Sequence, residues 1–151
     1  MSVNTFLWFD SDAEEAANRY TALIPNSRVV EINRHPDGSA FIVTIELDGH
    51  PYALMNGGPG YPFTDAASIQ VIVDTQTEVD QLWDALVDGG EPGPCGWLTD
   101  RYGLSWQVVP APLIEMMLDK NAKKVARVTD AFLQMKKFDI EALKRAYDGR
   151  Q

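Results

Sequence analysis

The stretch Cys95 to Pro110, CGWLTDRYGLSWQVVP, decides how the chain is read. Two short runs flank a turn sequence. Gly96-Trp97-Leu98 leads into Asp100-Arg101-Tyr102-Gly103, and Leu104 to Val109 alternates until Pro110 stops it. Successive side chains of a strand point to opposite faces. Leu104, Trp106 and Val108 therefore share one face, and Ser105, Gln107 and Val109 the other. Gln107, both donor and acceptor and always neutral, falls mid-strand on the less apolar side.

The same reading extends upstream. Asn4 to Phe9 reads as a strand, and Asp12 to Leu23 as a helix with Asp12 and Glu15 as a capping box and Pro25 as its stop. Strands follow at Arg28 to Asn33, Ala40 to Leu47 and Tyr52 to Met55, separated by His35-Pro36-Asp37-Gly38 and the hairpin signal Asp48-Gly49. Asn56 to Gly60 is irregular. Ser68 to Val73 is again a strand, and Thr75 to Val87 again a helix, with Thr75 and Glu78 as its box; Gly89 to Pro94 reads as a loop. From Pro112 the pattern becomes helical. Val125, Val128, Phe132 and Met135 keep helical spacing, and Asp139 caps a last helix that runs to Gly149.

The order repeats. With a shift of 63 residues, Thr5 falls on Ser68, Asp12 on Thr75, Glu15 on Glu78, Tyr20 on Trp83 and Leu23 on Leu86. Caps, aromatics and element order coincide, which indicates a duplicated βαβββ unit. The expected fold is α+β: two βαβββ modules forming a curved mixed sheet, followed by C-terminal helices. The boundaries read as 1–62 and 63–111 for the modules, 1–111 together, and 112–151 for the helical extension, all in one structural domain.

Composition narrows the function. The 151 residues are 45% hydrophobic with a formal charge of −9, which disfavours nucleic acid or an anionic membrane as partner. The apolar runs are short and broken by charge, so no membrane span or signal peptide is expected. One cysteine, Cys95, cannot pair within the chain, which suits the cytoplasm. Nine of the 13 Lys and Arg lie from Lys120 onward beside four Asp and Glu, leaving the tail at +5 and the body at −14. A basic tail of this kind is either a solvated helix face or a segment that docks on an acidic body, its own or a partner's.

The stretches FLWFDSDAEEAANRY, LMNGGPGYPF, VDTQTEVDQLW, CGWLTDRYGLSWQVVP and QMKKFDIEALKRAYDG resemble the vicinal oxygen chelate superfamily, which includes glyoxalase I, extradiol dioxygenases and bleomycin resistance proteins. More narrowly they resemble its PhnB-like branch, whose members often carry the label 3-demethylubiquinone-9 3-methyltransferase. The resemblance implies a homodimer, which the tail is expected to hold. It implies metal positions at Thr5 and Ser68, commonly His, and a carboxylate position at Gln107. Hydroxyls and an amide hold a transition metal poorly, so no metal and no cofactor are expected. The methyltransferase label is unexpected too: the turn after the first strand is Asp10-Ser11-Asp12, acidic and without glycine.

The candidate ligand-binding residues are then Thr5, Asn56, Ser68, Gln70, Trp97 and Gln107. His35 and His50 fall in turns, and Cys95 has no histidine near it in sequence to serve as base. Two classes of function stay open. One is a cup binding an unidentified small molecule by stacking and neutral hydrogen bonds. The other is a lyase- or isomerase-type enzyme, with Glu46 as its catalytic candidate.

Overall fold

The computed structural model describes residues 1–150, in two compact units: Met1–Phe63, and the chain from Thr64 onward. The first unit contains β1 (Thr5–Phe9), α1 (Ala13–Leu23), β2 (Arg28–Arg34), β3 (Ala40–Leu47) and β4 (His50–Asn56). Its sheet runs β1-β4-β3-β2, with β1 parallel to β4 and the other neighbours antiparallel. The parallel pair forces a crossover, which α1 begins, while Asp48 and Gly49 close the β3–β4 hairpin with φ values of 48° and 78°. Ala13, Ala16, Ala17 and Tyr20 of α1 are buried, as are Val43, Ile45 and Leu47 of β3, on which the helix packs. Small alanines allow the close approach, and each large side chain buried this way contributes about 1.5–3 kcal/mol.

The second unit repeats the plan with β5 (Ser68–Val73), α2 (Gln76–Val87), β6 (Glu91–Pro92), β7 (Trp97–Thr99) and β8 (Ser105–Pro110). Its sheet runs β5-β8-β7-β6, with β5 parallel to β8. The fold is thus α+β, with two βαβββ modules and C-terminal helices, each module forming a four-stranded mixed sheet. Gly89 to Pro94, read from sequence as a loop, contains the two-residue strand β6. Pro92 has no N–H to extend a ladder, which keeps the strand too short to show in the residue pattern.

Two local expectations are corrected. Asp12 makes no side-chain cap on α1; Asn56 of β4 reaches across instead and accepts the Ala13 N–H at 2.8 Å. Thr75 does cap α2, accepting from the Glu78 N–H. The 63-residue register also holds for the helices but not for the face of the first strands. Thr5 pairs with Tyr52, which pairs with the fully buried Ile45, so Thr5 lies on the side of the sheet that α1 covers. Ser68 pairs with Ser105, on the side opposite the buried Trp106 and Val108. The cause is one extra residue between β1 and the α1 cap: Asp10 and Ser11 precede Asp12, whereas Asp74 alone precedes Thr75.

After β8 come α3 (Ala111–Met117), α4 (Ala122–Phe132) and α5 (Ile140–Asp148). Val128, fully buried, clusters with Val109, Leu113, Met116, Phe138 and Leu143, and Phe132 and Met135 pack against them. Within its own unit the stripe is thus buried at Val128 and half-buried at Val125, Phe132 and Met135. Met135 lies beyond α4, in a turn where its N–H bonds the Phe132 carbonyl. Lys137 pairs with Asp80 of α2 at 3.1 Å. The Gln76 amide and this ammonium together hold the Asp80 carboxyl below its usual range.

Candidate functional site

The site is built by register. Across the second sheet Gln70, Gln107 and Trp97 lie in one row, and Ser68, Ser105 and Thr99 in the next. Paired residues on neighbouring strands share a face, and so do residues two apart on one strand. All six therefore stand on one face. The opposite face carries the buried Leu98, Trp106 and Val108, and α2 packs on β7 and β8 through its own buried Val79, Leu82, Trp83 and Leu86. A face so apolar on one side and polar on the other is what the alternation of SWQVVP encodes.

The polar side chains on that face are bonded to one another. Gln70 Nε2 donates to Gln107 Oε1 at 3.2 Å, and Gln107 Nε2 donates to Ser68 Oγ at 2.8 Å. Gln70 is exposed at the end of this relay, so its amide is presented to solvent. Ser105 is buried and donates its hydroxyl to Asp65 at 2.7 Å. A cavity of about 350 Å³ opens beside the rows, lined by Asp65, Gly93, Pro94, Cys95, Trp97, Leu98 and Thr99. This volume falls within the range of small-molecule pockets, roughly 300–1,000 Å³. Trp97 belongs to both the cavity and the row of glutamines.

The turn that aligns these rows is itself held by one carboxylate. Asp100, 2% exposed, accepts the N–H groups of Tyr102 and Leu104 on Oδ1 and the indole N–H of Trp106 on Oδ2. The Trp97–Gln107 register follows from this turn.

The other candidates lie in the first unit. Thr5 is exposed on the strand β1, on the helix side of its sheet. Asn56 spends its amide on structure, accepting from Ala13 and donating to the Ala40 carbonyl at 3.2 Å. It also borders a second cavity of about 340 Å³ with Asp10, Ser11, Glu14, His35, Ser39 and Ala40. Glu46 is engaged by Arg28 through two bonds, at 3.1 and 3.3 Å. His35 lies in its turn with its ring 4.7 Å from that of Phe41, and His50 is exposed beside the hairpin. The structure thus brings together Ser68, Gln70, Trp97 and Gln107. Asp65, Thr99 and Ser105 join them without having been singled out from sequence. The signal for Ser105 and Thr99 was the strand alternation itself. Asp65 sits outside any periodic run and left none.

The donor set decides what the site can hold. Ser68, Gln70 and Gln107 supply a hydroxyl and two amides, already bonded to one another. Among the described residues no group of three or more His, Cys, Asp or Glu is placed to hold a metal. These residues do not fit a divalent transition metal, which takes imidazole, carboxylate or thiolate. Nor does the β1–α1 turn fit a nucleotide-type methyl donor: it is acidic, lacks glycine, and the first N–H of α1 is occupied by Asn56.

Paired βαβββ modules of this order define the vicinal oxygen chelate fold. Residues 1–109 match the family described as 3-demethylubiquinone-9 3-methyltransferase. A PhnB protein from Bacillus cereus, described under the same methyltransferase heading, is 31% identical, with a TM-score of 0.68 over 74% of this chain and 100% of its own. Protein PA1353 from Pseudomonas aeruginosa shares the fold at 19% identity, with a TM-score of 0.57 over 72% of this chain and 98% of its own. A possible glyoxalase from Bacillus cereus shares it at 14% identity and a TM-score of 0.50, over 72% and 99%. No curated protein matches the sequence. The chain belongs to the 3-demethylubiquinone-9 3-methyltransferase family, the PhnB-like branch of the vicinal oxygen chelate superfamily. No helix among the described residues is long and apolar enough to cross a membrane.

Proposed function

We propose that the protein binds a small, partly aromatic molecule without a metal, on the polar face of its second module. The observation that carries this reading is the bonded row Gln70–Gln107–Ser68 in register with Trp97 beside a 350 Å³ cavity. An indole offers a stacking surface, and amides offer neutral donors and acceptors, so the favoured ligand is planar, with hydrogen-bonding groups on its edge. The proposed protein works in the cytoplasm as a homodimer, engaging neither nucleic acid nor membrane. Exposed apolar side chains on edge strands, Phe6 on β1 and Ile72 on β5, support the dimer, because an uncovered apolar edge invites a partner.

An enzymatic reading through Glu46 has less support. A general base must be free to take a proton, and Glu46 already accepts two bonds from Arg28. Methyl transfer is disfavoured by the acidic, glycine-free turn after β1.

Thermal shifts with a metabolite library, run with EDTA and again with Mn²⁺, Fe²⁺ or Ni²⁺, test the proposal. A ligand at 100 times its Kd stabilises the fold by about 2.7 kcal/mol. Hits with EDTA that are lost in Gln107→Ala or Trp97→Ala are expected. Hits that appear only with metal would overturn the proposal.

A further inference from the structure

We infer that the C-terminal tail is a positioning device for the cavity: the segment Met135–Phe138 holds the Pro94–Trp97 wall in its ligand-accepting shape. This rests on the reading of that cavity as the binding site. The wall has an unfavourable backbone. Cys95 and Gly96 take φ values of 57° and 81° in succession, and a side chain at the first of these is disfavoured. Such a conformation persists only where the surroundings impose it.

Here the tail imposes it. The Cys95 N–H donates to the Met135 carbonyl and the Gly96 N–H to the Lys136 carbonyl, both at 2.8 Å. Phe138, 3% exposed, lies where a Cβ on Gly96 would be, within 2.4 Å of its ring. Both N–H groups of the two consecutive left-handed residues thus find their acceptors in one short segment, while the Gly96 carbonyl accepts the Val108 N–H of β8 at 2.9 Å. That segment is itself tied to α2. Gln76 Nε2 donates to the Phe138 carbonyl at 2.9 Å, and Gln76 Oε1 accepts the Ile140 N–H at 2.8 Å. On its other side the wall carries Trp97, whose N–H bonds the Pro94 carbonyl while its carbonyl accepts the Gly93 N–H. The family model matches residues 1–109, so the segment follows the two modules in sequence.

Hydrogen exchange on the full chain tests this, with Gln76→Ala as the first variant and Phe138→Ala as the second. Neither residue lines the cavity. Loosening the segment removes the partners of the Cys95 and Gly96 amides whatever its role. The informative amides are Gly93 and Trp97, whose partners lie inside the loop. Their exchange is expected to quicken about tenfold or more, with a shifted Trp97 indole signal, because the loop relaxes with the tail. The amides of Val43 and Ile45, in the first unit, serve as the reference for global stability. Unchanged protection at Gly93 and Trp97 in both variants overturns the inference. No ligand is needed, so failure here is distinct from failure to find one.

Discussion

Asp100 offers the largest single effect that can be worked from the structure. Its carboxylate is the acceptor for three N–H groups: Tyr102 at 2.9 Å, Leu104 at 3.0 Å and the Trp106 indole at 2.9 Å. Trp106 is fully buried and Leu104 is 3% exposed, so water cannot replace the lost acceptor at either. A buried polar group left unpaired costs about 1–3 kcal/mol, so Asp100→Ala should cost about 2–6 kcal/mol for the two buried donors. Against a total stability of about 5–15 kcal/mol this is a large fraction. Asp100→Asn keeps one acceptor oxygen and should lose about half as much. Urea unfolding followed by tryptophan fluorescence is the assay. At an m-value of about 2 kcal/mol/M, the alanine variant should unfold about 2 M earlier. Ser105→Ala, which severs one bond to Asp65, provides the scale and should cost about 1 kcal/mol. A loss below about 1 kcal/mol for Asp100→Ala would refute the assignment of this carboxylate as the acceptor that organises the turn.

Other outcomes follow from the tail and the first unit. Arg127 donates to the Ala146 and Tyr147 carbonyls at the end of α5, so Arg127→Ala should lower stability by about 1–3 kcal/mol in denaturant titrations, and no loss would contradict that capping role. Leu143→Ala opens a cavity in the tail cluster and should cost about 2–5 kcal/mol by the same assay. The Tyr147 hydroxyl donates to Asp119, holding that carboxyl below its ordinary range. A depressed carboxylate adds stability above its unfolded value and loses it as pH falls through its folded value, so Tyr147→Phe should move the Asp119 titration upward by NMR; an unmoved titration would contradict the contact. Glu46→Gln breaks only a partly exposed pair with Arg28 and should change the melting temperature little, and ligand shifts not at all.

The sequence spoke most clearly where one residue type had one physical reason. Asp48-Gly49 needed two left-handed residues and formed the hairpin, and Thr75 with Glu78 capped α2. Alternation in SWQVVP placed Gln107 on the polar face, and the register then brought it to Gln70 and Trp97. What stayed hidden depended on contacts remote in sequence. Asn56 replaced Asp12 at the α1 start from 43 residues away. One added residue before Asp12 turned Thr5 to the helix side although its neighbours repeat faithfully. The Val125–Met135 stripe announced that it would be buried, but helical spacing says nothing of which chain receives it. The Cys95-Gly96 bend and its support by Met135 and Lys136 have no local signature beyond the glycine.

The central claim is metal-free recognition at the Gln70–Gln107–Trp97 row. Its most direct measurement is a two-dimensional NMR titration, in EDTA, of the full chain with the best thermal-shift hit, following the Gln70 and Gln107 side-chain amides and the Trp97 indole. Saturable shifts of all three signals, with one Kd that added Mn²⁺ does not change, are the predicted result. Shifts that require the metal, or that leave these three signals still while others move, would contradict it.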